Sequence, residues 1–150
     1  MLKTLIVALG CLSLWGADTA EESTPEKVEV TLTAQASKKR VTFSGTANLK
    51  DGAVITYEVG HQLHLQQPTN PLDERGSVTV KDGRFLGSTN ITKWPRGNIT
   101  VWIGFMPFAP TQPAWVKEEF GPGGTKLDGP KVKKTQLLHW IEMAQVVAKK

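Results

Sequence analysis

Residues 80–105 read VKDGRFLGSTNITKWPRGNITVWIGF, and this stretch decides the fold. It holds two strand patterns bounded by turn signals. Lys81-Asp82-Gly83 marks a tight reversal, because a two-residue I′ turn needs positive φ and Asp-Gly tolerates it. Phe85, Gly87, Thr89 and Ile91 then share one face of a period-2 pattern, with Arg84, Ser88 and Asn90 on the other. Trp94-Pro95-Arg96-Gly97 stops that strand. Ile99, Val101, Ile103 and Phe105 follow as the cleanest apolar alternation in the chain, the mark of a central, half-buried strand.

The same logic extends outward. Val28, Val30, Leu32 and Ala34 alternate with polar residues as a first strand. Val41, Phe43 and Gly45 begin a second, which reaches about Asn48. A second Lys-Asp-Gly turn at 50–52 leads into Ala53, Ile55, Tyr57 and Val59. Residues 61–74 are polar, carry Pro68 and Pro71, and read as a long surface loop, with 77–81 a short strand after it. Three prolines in 107–113 exclude a central strand there. Residues 115–120 read as an edge strand, and Gly121-Pro122-Gly123-Gly124 as a break.

Residues 136–148 fit two periods. Leu137, Leu138, Ile141, Ala144 and Ala148 share a helical face, whereas an extended chain puts Leu138, Trp140 and Val146 opposite His139, Ile141, Met143 and Val147. The expectation is a strand that pairs with the first, because no helical period precedes it. The count is then seven or eight strands, with turn signals about every dozen residues. That spacing predicts an all-β, two-layer Greek-key sandwich over residues 28–150.

The stretch VTFSGT at 41–46, with Asn48-Leu49-Lys50-Asp51-Gly52 after it, resembles the start of immunoglobulin-like or fibronectin-III-like sandwich domains of secreted bacterial proteins. The Lys81–Phe85 and Trp94–Val101 segments and the glycine-rich turn at 121–129 agree with that resemblance, which covers most of residues 28–135. It implies a fold and no catalytic residues. The Cys-Trp-Cys core of antibody domains is absent.

The chain has 150 residues, room for one domain of ordinary size. Residues 1–20 are laid out as a signal peptide: Lys3, an apolar run at 5–15, then small residues at 16–20. That run is short for a bilayer span. Residues 21–27 form a polar lead-in containing Pro25. The expectation is export, to the periplasm or beyond the cell. Cys11, the only cysteine, closes Ala8-Leu9-Gly10-Cys11, which resembles a lipobox. The alternative is therefore lipidation at Cys11 and a membrane-anchored lipoprotein. Otherwise no disulfide staples the mature fold, and its core alone must hold it.

Net charge is +4, with the excess at Lys38-Lys39-Arg40 and across 126–150. These read as a solvated turn and a frayed tail; anionic surfaces are the competing reading. Export argues against a nucleic-acid role. His61 and His64 are the one histidine pair, and their nearest carboxylates in sequence are Glu58 and Asp73. On a loop this reads as surface rather than metal site, and no cofactor is expected. No Gly-x-Ser-x-Gly elbow or phosphate-binding glycine loop occurs. The expectation is a non-enzymatic domain with an interaction or structural role in the cell envelope or extracellular matrix, its partner an envelope protein or a polysaccharide. Within that class, Trp94, Trp102 and Trp115 are the candidate ligand-binding residues of a carbohydrate-binding module, because exposed indoles bury large area at small entropic cost. The competing reading covers Trp102 with the 107–113 segment.

Overall fold

Most of the alternating segments fold as strands, but the first, expected from Val28 to Ala34, is a strand only over Thr33–Ala36, with Val30 held by a single bridge to Ala47. The computed structural model describes residues 27–67, 69 and 71–150; the signal-peptide segment with Cys11 and the lead-in residues 21–26 lie outside them. The elements are β1 (Thr33–Ala36), β2 (Arg40–Thr46), β3 (Val54–His61), α1 (Gln62–Gln66), β4 (Asp73–Thr79), β5 (Arg84–Asn90), β6 (Gly97–Phe105), α2 (Ala114–Phe120), β7 (Val132–Lys134) and β8 (His139–Lys149). They build two antiparallel sheets, one ordered β1-β2-β5 and the other β4-β3-β6-β8-β7.

Period-2 patterning brings the two sheets together. Ile99, Val101, Ile103 and Phe105 of β6 are all but sealed from solvent, as are Val41 and Phe43 of β2 and Ile55 and Val59 of β3. They belong to one core to which both sheets contribute. Phe43 meets Tyr57 across it, with ring centres 4.8 Å apart. In the β2–β5 pair Phe43 lies opposite Gly87 and Phe85 opposite Gly45. Each ring occupies the space a Cβ on its glycine would need, so the two glycines make room for the two largest side chains of that sheet.

Both Asp-Gly turns carry the chain from one sheet to the other. Lys81 and Arg84 exchange backbone hydrogen bonds of 2.8 and 2.9 Å, with Asp82 and Gly83 at φ 50° and 70°. That is the expected I′ reversal, yet the strands beyond it part: β4 pairs with β3, and β5 pairs with β2. Turn chemistry fixes only the local reversal. The partner beyond it is set by Val80 and Gly52, through Gly52 N–H to Val80 C=O (2.9 Å) and Val80 N–H to Ala53 C=O (2.8 Å). The Asp82 N–H then donates to Asp51 Oδ1 at 2.7 Å, clasping the two turns together.

Four expectations need correction. Residues 61–74 are not a surface loop: β3 runs through His61, α1 follows, β4 begins at Asp73, and both histidines are buried. Residues 115–120 form helix α2 rather than an edge strand, so the domain is not helix-free. Pro113 stands at its N-cap, Gly121 leaves its C-terminus at φ 81°, and Val116 and Phe120, four apart, face the core. Phe120 packs edge-on against Phe105 at 5.6 Å. The last strand is indeed a strand, but β8 pairs with β6 and β7 rather than with β1. It reaches β1 only across the core, where Gln145 Oε1 accepts the Ala34 N–H at 2.8 Å. Finally, the basic tail is ordered structure. Lys149 is buried, and its Nζ donates to the carbonyls of Ile91 and Trp94, both at 2.6 Å. Among the described residues no helix is long and apolar enough to cross a membrane.

The register of β6 is testable by denaturation. Ile103→Ala removes a core side chain and should cost about 2–5 kcal/mol. Thr100→Ala, on the opposite face, should cost less than about 1 kcal/mol. Equal losses would contradict the register.

Candidate functional site

Because the odd residues of β6 face the core, its even residues stand on the outer face of the five-stranded sheet. Register places Arg75 of β4, Glu58 of β3, Trp102 of β6 and Ala144 of β8 in one row across four strands. The next row carries Thr56, Gly104 and Glu142. Trp102 is part-exposed, and its benzene ring leans along the strand over Gly104. A methyl carbon on Gly104 would fall 2.5 Å from Trp102 Cη2. Glycine at 104 is what lets this indole lie down on the sheet.

Trp140 approaches from β8, where its indole N–H donates to Glu142 Oε2 at 3.2 Å. Lys133, from β7, forms an ion pair with Glu142 Oε1. The Lys133 ammonium holds the Glu142 carboxyl below the usual glutamate range, against a desolvation that pushes it up; the indole N–H groups of Trp140 and, more weakly, Trp102 add to the lowering. Two indoles therefore converge on one ionised carboxylate, with Val146 and Ala144 exposed beside them.

The other end of the Trp102 row is charged. Arg75 Nε lies 3.1 Å from Glu58 and 3.4 Å from Asp73, and His64 Nδ1 lies 3.6 Å from Asp73. Glu58, His64 and Asp73 bring their ligand atoms within 4.8 Å of one another. They are the residues that could hold a cation, but the Arg75 guanidinium already supplies positive charge between the two carboxylates. An ion-pair network accounts for the cluster. Its members are His64 and the two carboxylates nearest the histidine pair in sequence, and the ends of β3 and β4 with α1 bring together what a surface loop would have left apart.

The three tryptophans singled out from the sequence do not meet. Trp94 and Trp115 lie beyond opposite ends of β6, a nine-residue strand about 27 Å long at 3.4 Å per step. Trp94 packs edge-on to His61, with ring centres 6.3 Å apart, and against the core. Trp115 is on α2, half-buried against the core, with Lys50 Nζ 5.4 Å from its ring centre. Only Trp102 stands on the open sheet, and the partners that sequence reasoning missed are Trp140 and Glu142. The segment 107–113 is anchored to β3 instead. Buried Gln112 accepts the Val54 N–H at 2.9 Å and donates to the Val54 carbonyl at 2.8 Å, as a neighbouring strand would.

The histidines have work within the fold. His61 Nδ1 accepts the Leu63 N–H at 3.2 Å, capping α1. His139 Nδ1 lies 3.4 Å from the Leu127 carbonyl.

What the fold and the site define is a two-layer β domain with an aromatic outer face. No protein-family model, curated protein or solved structure matches this chain.

Glu142 gives the site a pH signature. An unfolded glutamate titrates near 4.3. With the folded value lower, the ionised Glu142 stabilises the fold above that pH, and the contribution is lost as pH falls through the folded value. Lys133 is exposed, so the effect is small. Thermal unfolding from pH 6 downward should show wild type losing more stability than Glu142→Gln in that acid window. Parallel curves would contradict the cluster.

Proposed function

We propose that this chain is a non-enzymatic interaction domain of the immunoglobulin-like or fibronectin-III-like sandwich type, working outside the cytoplasm, and that it binds through the outer face of its five-stranded sheet. The observation that carries the reading is the Trp102–Glu142–Trp140 cluster. Two large indoles are kept part-exposed on a sheet surface, and the strand beneath them is locked by its buried opposite face. Tryptophan in such a place is over-represented among residues that dominate binding energy. The rim is polar, with Arg75 and Glu58 on one side and Lys133 on the other, as at protein interfaces.

The strand order supports the fold type. The order β1-β2-β5 in one sheet and β4-β3-β6-β8 in the other is compatible with strands A-B-E against C′-C-F-G of such sandwiches, with β7 an added edge. A non-catalytic reading is supported by His139 lying against the Leu127 carbonyl and His64 against Asp73, while His61 caps α1 through Nδ1 and keeps a buried Nε2 without a hydrogen-bond partner among the described residues. The export half rests on Lys3 and the apolar run at 5–15. Mass spectrometry of the mature N-terminus checks it, and an intact chain starting at Met1 would count against it.

A polysaccharide is the second reading of the partner. It is favoured by the indole of Trp102 lying along the sheet over Gly104, with the carboxylates of Glu58 and Glu142 on either side to accept sugar hydroxyls.

The binding test is Trp102→Ala in pull-downs from envelope extract and from insoluble polysaccharides. Thermal stability should stay close to wild type while retention falls at least about tenfold, as for loss of one buried aromatic anchor. Full retention by the variant would refute the surface, and the column that retains wild type separates a protein partner from a glycan.

A further inference from the structure

The β7–β8 hairpin ends in residues Thr135, Gln136, Leu137 and Leu138, between the paired residues Lys134 and His139. Turns of this kind are ordinarily polar. Here Leu137 is 77% exposed, the highest figure among the exposed large apolar residues, and Leu138 is 38% exposed. The exposure is built in. The Thr135 N–H donates to the Leu138 carbonyl at 2.8 Å, and Thr135 Oγ1 accepts the Leu138 N–H at 3.0 Å. The His139 N–H donates to the Gly123 carbonyl at 2.9 Å, which props the turn against the 121–124 segment. Turning the backbone so that both leucines faced the core would break these bonds.

The chain leading into this hairpin is mainly basic. Residues 126–140 contain four lysines, Lys126, Lys131, Lys133 and Lys134, against the single acid Asp128. All four are exposed. Lys134 reaches Asp128 at 3.5 Å and Lys133 pairs with Glu142, but both lysines keep more than half of their side-chain surface in solvent. Such exposed pairs contribute little net stability, so the solvent-facing part of each ammonium is open to a further anion.

We infer that this hairpin docks the domain on an anionic phospholipid bilayer, with Leu137 and Leu138 entering the interface and the lysines meeting lipid phosphates. The complementarity is specific in kind: a held apolar tip suits a deformable apolar medium, and exposed lysines on the same hairpin and the segment before it suit a negative surface. A folded protein partner would have to offer the leucines a preformed pocket, whereas a bilayer interface needs none. Each lysine near such a surface contributes on the order of fivefold in partitioning, and salt screens that share. This surface adjoins the Trp102 face and shares Lys133 with its rim, so its test uses Lys131 and Lys134, which form no ion pair with Glu142.

The full chain should co-sediment with vesicles of phosphatidylcholine mixed with phosphatidylglycerol, and much less with phosphatidylcholine alone. Leu137→Ser with Leu138→Ser should lower partitioning by roughly tenfold or more. Lys131→Gln with Lys134→Gln should lower it as well and flatten the salt dependence. Because the variants share residues 1–26 with wild type, any attraction of that apolar segment to lipid cancels in the comparison. Both pairs lie on the surface, and unchanged circular dichroism of each variant keeps the comparison valid. Equal binding by the leucine variant, equal binding to neutral vesicles, or no binding to anionic ones would overturn the assignment.

Discussion

Asp51 and Asp82 meet at the point where the chain twice changes sheet, and the arrangement of the strands follows from that meeting. Gly52, Asp82 and Gly83 take positive φ, which Asp and Gly adopt at least cost. The Asp51 carboxylate accepts the Asp82 N–H, Gly52 donates to Val80, and Ala47 donates to Gly83 at 2.9 Å. With the two crossings tied, β2 and β5 are left as neighbours in one sheet and β3 and β4 in the other. β6 must then join β3, and its apolar face closes the core. Everything on the outer face of the five-stranded sheet, Trp102 included, is where it is because β6 cannot turn over.

The closed core also frees the surfaces for other tasks. Leucines at a hairpin tip and indoles on an open sheet would be liabilities in a fold still seeking its register. Here β6 pairs with β8 from Gly97 to Phe105, and Lys149 ties the end of β8 to the turn that carries Trp94. The exposed apolar residues therefore sit on a frame fixed from behind.

The strands of the sheet interior were legible because their signal is local and strong. Ile99, Val101, Ile103 and Phe105 alternate without a break, and all four are buried. Partnership was less legible. An Asp-Gly turn looks the same whether it joins two neighbours or two sheets, and only Val80 choosing Ala53 decides the matter. Helix α2 was missed because seven residues hold barely two turns, although Pro113 before it and Gly121 after it were a usable signal. Residues 61–74 were read by composition, which does not reveal that His61 ends a buried strand. For the site, Trp102 was legible as an outward residue of β6. Its partners were not, because Trp140 and Glu142 lie on a segment where helical and extended periods both fit, and they reach Trp102 only through β6–β8 pairing.

The central claim is that Trp102 lies on the outside of a sheet whose other face is the core. Proton–proton Overhauser contacts from its indole ring test this most directly. Contacts are expected to the Gly104 α-protons and to the side chains of Trp140 and Glu142, with none to Phe43 or Phe85. Strong contacts from Trp102 to either phenylalanine would place it in the core and contradict the register, the site and the reading built on them.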